Sequence, residues 1–453
     1  MTWARSRYLL LGDTEYRDGA GRTVRMAYSA RDAAAFAVDA DTAALLARGD
    51  ADAIAAIGAD GLSDLAARHA VVDTAEDELG AVLAGYRAAS DAPGARGVTI
   101  MPTSYCNMAC DYCGQEHFKA PVDRARVERV VARVEAMFAD PEVDEVTVTW
   151  FGGEPLLALR VVRDMTRRFL AAAGEHGKRY RARLVTNGSL LTPRTLHELH
   201  HDLKVAALEV TIDGPQAVHD RRRLKRNGRG SFHRTVAALA RAVRERTVPG
   251  LRIGIRMNVD ETNEDDVADL LVDLACFGLA SPQVEVHPMP VHSWGNDVSA
   301  VELEARRYAR REAEWLRLAR RLGLGFPAMP NVVKRTTCAA TSRRREILDP
   351  SGRVFACSEH PLVPGAEATG VVATVDGLAD SAPRPAGQFD DWYDQVGDGK
   401  QQCGRCPLLP VCGGSCPKLW REGHRPCPSV KFNWPERLDA VARGLGYRPV
   451  GAG

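Results

Sequence analysis

The sequence predicts an α/β chain: a partial (β/α)6 barrel, preceded by a small N-terminal α+β domain and followed by a cysteine-rich C-terminal domain. Three observations carry this reading. Between residues 97 and 325, short apolar β-branched runs alternate with amphipathic helical stretches, the pattern of parallel strands joined by crossover helices. Residues 1–90 show a strand hairpin and then alanine-rich helices. Residues 326–430 lose all periodicity and are rich in Gly, Pro and Cys, so bound metal clusters rather than a large apolar core are expected to order them. Residues 431–453 remain as a closing helix and tail.

In the first unit, strand signals lie at 8–12, 24–28 and 34–38, and helices at 41–48 and 61–69. Pro93 and Gly94 mark 90–97 as a linker. The six barrel strands are expected at 98–101, 146–151, 183–186, 208–212, 253–257 and 284–286. Between the first two, Val127, Val130, Val131, Val134 and Met137 share one helical face. Parallel strands of this kind are expected to be buried on both faces, with the chemistry at their C-terminal ends. The arginine-rich helix at 303–322 also carries Glu304, Glu312 and Glu314, which reads as a solvated face with local ion pairs.

A chain of 453 residues exceeds one ordinary core, and its net charge of +1 gives no bulk reason to bind nucleic acid. The apolar stretch at 1–11 is too short to span a bilayer and has no signal-peptide pattern, so a cytoplasmic protein without a membrane partner is expected. The eleven cysteines are unevenly spread. Cys106, Cys110 and Cys113 form one tight group, and Cys338, Cys357, Cys403, Cys406, Cys412, Cys416 and Cys427 another. Fixed short spacings in a reducing compartment favour metal or redox chemistry over disulfides. Cys276 stands alone in an apolar helix and reads as a small core residue.

Cys106, Cys110 and Cys113 follow the first barrel strand directly. Three thiolates on one loop hold three irons of a four-iron cluster and leave the fourth open to a ligand. A zinc knuckle is the alternative and needs a fourth ligand, which His117 offers.

This CxxxCxxC loop, with Tyr112 before its last cysteine, resembles the signature of the radical S-adenosylmethionine (SAM) superfamily. The resemblance continues at Gly152-Gly153-Glu154-Pro155, at Thr186-Asn187-Gly188, at Thr211-Ile212-Asp213-Gly214-Pro215 and at His219-Asp220 followed by Arg223. It implies that SAM is a cofactor chelated by the open iron. It further implies that carbonyl and carboxylate groups of Gly152, Gly153, Glu154 and Pro155 meet SAM's amino group, and that Arg223 meets its carboxylate. Asn187 and Asp213 either turn the chain or touch the ribose. Taken without the resemblance, Arg221, Arg222 and Arg223 read as a solvated charge run, and Glu154 as a helix cap.

The later cysteines, with Gly352 and a CxxC-x5-CxxxC core, resemble the SPASM domain of radical SAM enzymes that modify peptides and proteins. The resemblance implies three four-iron clusters in all. Cys403, Cys406, Cys412 and Cys427 would hold one auxiliary cluster. Cys338, Cys357 and Cys416 would hold the other, one ligand short, since 326–337 contains neither Cys nor His. Zinc ribbons are the competing reading.

The expected function is SAM cleavage followed by modification of a ribosomally made peptide or small protein, supplied with electrons by a flavodoxin- or ferredoxin-like donor. The N-terminal unit loosely resembles winged-helix modules that grip a leader segment, with a packing domain as the bland reading. Sulfatase maturation is a rival, weakened because Ser358 stands where that branch places a carboxylate, although Glu359 is adjacent. A small-metabolite substrate and a zinc-stapled scaffold are the others. His287, His292 and Trp294 follow the last barrel strand and carry no assigned catalytic role.

Overall fold

The computed structural model describes residues 2–378 and 381–451; residues 1 and 452–453, at the ends of the first and last expected units, lie outside the described residues. The N-terminal unit comprises β1 (Trp3–Arg5), β2 (Leu9–Arg17), β3 (Thr23–Ser29), β4 (Ala34–Asp39), α1 (Ala40–Arg48), α2 (Ala51–Ala55), α3 (Ala59–Ala66), β5 (Val71–Asp73) and α4 (Glu78–Asp91). The barrel follows as β6 (Gly94–Ile100), α5 (Arg124–Ala139), β7 (Val143–Trp150), α6 (Leu159–Glu175), β8 (Arg179–Thr186), α7 (Pro193–His201), β9 (Val205–Thr211), α8 (Gln216–Arg222), α9 (Phe232–Arg244), β10 (Arg252–Val259), α10 (Val267–Cys276), β11 (Val284–Pro290) and α11 (Ala305–Arg321). The C-terminal region contributes β12 (Arg345–Leu348), β13 (Arg353–Phe355), α12 (Ala366–Gly370), β14 (Val371–Thr374), α13 (Trp392–Gly397), α14 (Leu409–Cys412), α15 (Pro417–Arg421), α16 (Val430–Gly444) and β15 (Arg448–Pro449).

Strands β6 to β11 lie side by side in sequence order, all parallel, and form the six-stranded partial barrel. The expected linker is largely absent. Helix α4 runs to Asp91 and β6 begins at Gly94, whose φ of +94° makes the turn while its N–H donates to the Glu142 carbonyl. The sheet continues past β6 with β12 in parallel and then β13 and β14 antiparallel, so the C-terminal region starts as an extension of the barrel wall.

The strands are not buried on both faces. Val146, Val148, Trp150, Leu184, Leu208 and Ile253 point outward and pack under the helices, each at most 2% exposed. Their neighbours Thr147, Thr149, Arg181, Arg183 and Glu209 face inward and remain open. Six strands do not close a barrel, so the interior is not filled by side chains and tolerates polar groups.

Alternation in the N-terminal sheet divides its two faces. Leu9, Leu11, Ala27, Phe36 and Val38 pack on α1, α2 and α3. Tyr8, Leu10, Met26 and Tyr28 pack instead with Trp392, Leu408, Val411 and Leu438 of the C-terminal region. Tyr28 donates to the Pro330 carbonyl at 2.8 Å, Tyr86 donates to the Leu409 carbonyl at 2.7 Å, and β15 pairs with β2. The cysteine-rich region therefore does own an apolar core, shared with the first ninety residues.

Two smaller expectations change. Cys276 is exposed at the end of α10 rather than in the core. Arg222 is not part of a solvated run: it is buried and pairs bidentately with Asp260 at 2.9 and 2.7 Å. Helix α11 buries Tyr308, Trp315 and Leu316, and on its open side Arg307 and Arg311 pair with Glu261, Glu264, Asp265 and Glu314. Among the described residues no helix is long and apolar enough to cross a membrane.

Candidate active site

The segment after β6 carries Cys106, Cys110 and Cys113 over the C-terminal ends of the barrel strands. It is held from two sides. Ala109 N–H donates to the Leu224 carbonyl at 2.9 Å, Arg226 N–H to that of Asn107 at 2.9 Å, and Arg226 Nε to that of Cys106 at 3.1 Å. From the turn after β7, Glu154 N–H donates to the Tyr105 carbonyl at 2.9 Å. This approach requires glycines. A Cβ on Gly153 would lie 2.3 Å from Tyr105 O, and one on Gly152 would lie 2.9 Å from Met101 Cβ at a φ of +112°.

The three thiols face a cavity of about 360 Å³ that is also lined by Gly152, Gly153, Asn187 and Arg223. Glu154, Pro155 and Asp213 are buried behind its wall. Both carboxylate oxygens of Glu154 are engaged: Oε1 accepts from Leu156 N–H at 3.0 Å and Thr186 Oγ1 at 2.7 Å, and Oε2 from Asn187 N–H at 2.8 Å. Burial raises its carboxyl pKa, and these donors oppose the rise. Glu154 thus ties the end of β7 to the end of β8. Asn187 Nδ2 reaches Asn107 Oδ1 at 2.9 Å and Cys106 Sγ at 3.7 Å.

Asp213 holds Arg223 in place. Its carboxylate accepts from Asn258 N–H at 2.8 Å and from the Tyr112 hydroxyl, and it lies 3.5 Å from Arg223 Nη1. Tyr112 also accepts from Asn258 Nδ2 at 3.0 Å and from Arg223. The guanidinium so fixed is a ready partner for an anion entering the cavity. Tyr112, Asn258 and Arg226 escaped the sequence reading as functional groups; only the aromatic residue before the last cysteine gave a signal.

The donor set suits an iron–sulfur cluster. Burial pushes all three thiols up, Cys110 to about 11, so they need a bound cation to become thiolates. In a four-iron cube each thiolate meets its own iron, so three cysteines lining one cavity suit it. His117 accepts or shares a proton with Cys113 Sγ at 3.6 Å, and its Nδ1 lies 3.1 Å from the Ser104 carbonyl.

The later cysteines gather in two sets. Cys403, Cys406, Cys412 and Cys427 surround one small hollow beside Trp420 and Lys431, whose Nζ donates to Cys427 Sγ at 3.3 Å. Burial and the neighbouring thiols push Cys403 up to about 12 and Cys412 to about 11. Gly413 and Gly414, both at positive φ, let the chain turn between Cys412 and Cys416 while their carbonyls accept from the Trp392 and Trp420 indoles at 2.9 and 2.8 Å. Burial raises Cys357 and Cys416, and neighbouring thiols add to it: Cys338 and Cys416 at Cys357, and Cys338 at Cys416.

The two cysteine regions meet. Glu116 N–H donates to the Leu362 carbonyl at 2.7 Å, placing the loop after Cys357 against the first cysteine loop. Glu359 lies between them, within electrostatic reach of Cys113, Cys357 and Cys416. Burial raises its carboxyl pKa against the opposing pull of Arg256 and Lys418, and Ser358 Oγ donates to it at 3.2 Å. Trp294 closes over Gly114, where a Cβ would come 2.2 Å from its carbonyl oxygen, and Lys418 Nζ lies 5.3 Å from its ring centroid.

Comparison with known proteins agrees with this geometry. Residues 100–274 match the radical SAM superfamily. A protein of Synechocystis sp. described as uncharacterized is 30% identical over 152 residues, 31% of this chain and 36% of that protein, so the chain spans about a third of that relative. The serine-type anaerobic sulfatase-maturating enzyme of Klebsiella aerogenes is 23% identical over 340 residues, covering 69% of this chain and 77% of the relative. The solved structure of native anSMEcpe with bound AdoMet and Kp18Cys peptide superposes with a TM-score of 0.58 at 13% identity, covering 78% of this chain and 98% of that one, a likeness of fold. Residues 100–274, from the end of β6 to α10 and including the three cysteines of the cavity, are therefore a radical SAM domain.

Proposed function

We propose that this enzyme cleaves SAM reductively and uses the adenosyl radical to modify a ribosomally made peptide or small protein. The observation that carries the reading is the meeting of three cavity-facing thiols, Cys106, Cys110 and Cys113, with a second cysteine region across Glu359. When bound, a cluster with one open iron supplies the electron that splits the sulfonium, chemistry that belongs to the cofactor. The chain's part is placement. Cys106, Cys110 and Cys113 hold the cluster, Arg223 faces the carboxylate of SAM, and Asn187 and the Gly152-Gly153 backbone shape the rest of the cavity wall. Cys403, Cys406, Cys412 and Cys427 hold one auxiliary cluster, and Cys338, Cys357 and Cys416 the other; an external flavodoxin- or ferredoxin-like protein supplies electrons.

Support for a peptide substrate comes from the curated sulfatase-maturating relative and from the solved neighbour whose contents include a peptide. The same relative favours sulfatase maturation as a second reading; a sulfatase-derived peptide assayed beside other peptides separates the two. The N-terminal unit fits leader recognition, because β4 is an edge strand followed by the α1–α3 helices.

The test uses protein purified without oxygen. Wild type should contain iron and acid-labile sulfide and form 5′-deoxyadenosine under reducing conditions. The triple variant Cys106→Ala, Cys110→Ala, Cys113→Ala should lose that product yet keep iron in the C-terminal region. Undiminished cleavage by the triple variant sinks the assignment.

A further inference from the structure

Below the cysteine loop the barrel lumen is polar and cationic, and the SAM site uses none of it. Strand register sets Thr99 beside Thr149 and Thr149 beside Arg183 on one inward-facing row. Arg345 of β12 stands opposite Gly97, where a Cβ would lie 3.2 Å from Arg345 Cγ, so the glycine makes room for that side chain. These residues line a hollow of about 590 Å³ that continues past Thr149 and Arg183 into a second of about 510 Å³. The second hollow meets the cavity of the three thiols at Val185. Val185 lies two residues above Arg183 on the same face of β8, about 6.6 Å along the strand.

Each acid lining the two hollows has a basic neighbour, that of Glu285 being His287 at 3.6 Å. Glu346 pairs with Arg133 at 2.8 Å, Glu145 with Arg179 and Arg181 at 3.2 Å each, and Glu209 with Arg256 at 3.8 Å. Among the described residues, the guanidinium groups of Arg183 and Arg345 have no hydrogen-bond or ion-pair partner, although the Arg345 backbone bonds Ser342 and Arg384, and the hydroxyls of Thr99 and Thr149 have none either. Two unpaired guanidinium forks with two free hydroxyls are the donor set for a carboxylate, since the fork matches both carboxylate oxygens.

Resting on the peptide-modifying reading above, we propose that the lumen is a carboxylate subsite: it takes an Asp or Glu side chain of the peptide, gripped by Arg183 and Arg345 with hydroxyls from Thr99 and Thr149. An acidic residue anchored there holds its neighbour in the sequence at the level of Val185, beside the cavity of the three thiols. Arg183 is thus a specificity-determining residue.

The test measures binding of blocked fluorescent hexapeptides to the full-length protein by anisotropy at low salt. A peptide with one Glu should bind about tenfold more tightly than its Gln counterpart, a difference of about 1.4 kcal/mol. Arg183→Gln and Arg345→Gln should each erase most of that preference while keeping the near-ultraviolet circular dichroism of the wild type, and Arg183→Glu should favour a Lys peptide instead. Equal affinity of wild type for the Glu and Gln peptides overturns the proposal, as does binding too weak to measure for both. Two further arms identify the carboxylate's source. Equal binding of a Gln peptide with a free C-terminus, or displacement by glutarate as effective as by the Glu peptide, overturns the side-chain assignment in favour of a chain terminus or a small acid. The binding readout needs no SAM cleavage, so a protein that selects the Glu peptide but makes no 5′-deoxyadenosine defeats the proposed function and leaves the subsite standing.

Discussion

At the scale of single residues, the cavity depends on backbone approach as much as on ligands. Gly153 lets Tyr105 come close enough for its carbonyl to be met by the turn after β7, and a methyl group there collides with main-chain atoms that cannot rotate away. Gly153→Ala should cost about 1–3 kcal/mol, the usual range for overpacking, and should lower iron bound at the first cysteine group. Gly174→Ala serves as the contrast: it lies within α6 with nothing inside 4 Å of the added carbon, and it should stabilise by about 0.5–1 kcal/mol. Thermal melts and iron content of the two variants check this; similar behaviour of both would remove the steric argument. The glycine pair was legible as a motif in the sequence, but its reason was not, because Tyr105 O becomes its neighbour only after β6 and β7 pair.

Among elements, β4 is the one whose role is open to direct test. It forms one edge of the N-terminal sheet, while the opposite edge is covered by β15. A leader segment added as a further strand would engage its unpaired backbone groups. Amide hydrogen exchange in residues 34–39 should slow when a precursor peptide with its leader is added, and should not slow with the leader removed. Unchanged exchange in both cases returns the unit to a packing role. Removal of residues 1–90 is a poor experiment for this question. It would strip Tyr8, Tyr28 and Tyr86 from a core shared with Trp392 and Val411, so loss of binding would report loss of folding.

For the molecule as a whole, a buried histidine couples stability to pH. His219 is fully buried, its Nδ1 accepts from Asp213 N–H at 3.3 Å, and its Nε2 bonds Ser231 Oγ at 2.9 Å. Burial, with Arg223 nearby, pushes its pKa down from 6.5 to about 3. The unfolded chain therefore takes up a proton below pH 6.5 that the folded chain refuses, and stability falls as pH drops from there toward 3. The slope approaches 1.4 kcal/mol per pH unit. Denaturant midpoints between pH 7 and 5 should decline in wild type and decline less in His219→Asn; equal slopes would assign the loss to other groups.

The sequence by itself determined what depends on short stretches of chain. The spacing of Cys106, Cys110 and Cys113, the glycines before Glu154 and the six strand–helix alternations all act within one loop or one element, where backbone geometry follows directly from residue type. Tertiary structure alone decided what depends on distant residues. Arg222 reads as one of a charged run until Asp260 reaches it, and Cys276 reads as core until α10 turns its last residue outward. Glu359 gains its place between two cysteine regions only when the loop after β13 docks on Glu116. The polar lumen likewise emerges from strand register and from a sheet whose six barrel strands do not close on themselves, leaving Arg183 facing open space instead of a packed core. Pairings across tens or hundreds of residues are set by packing of whole elements, and no local pattern encodes them.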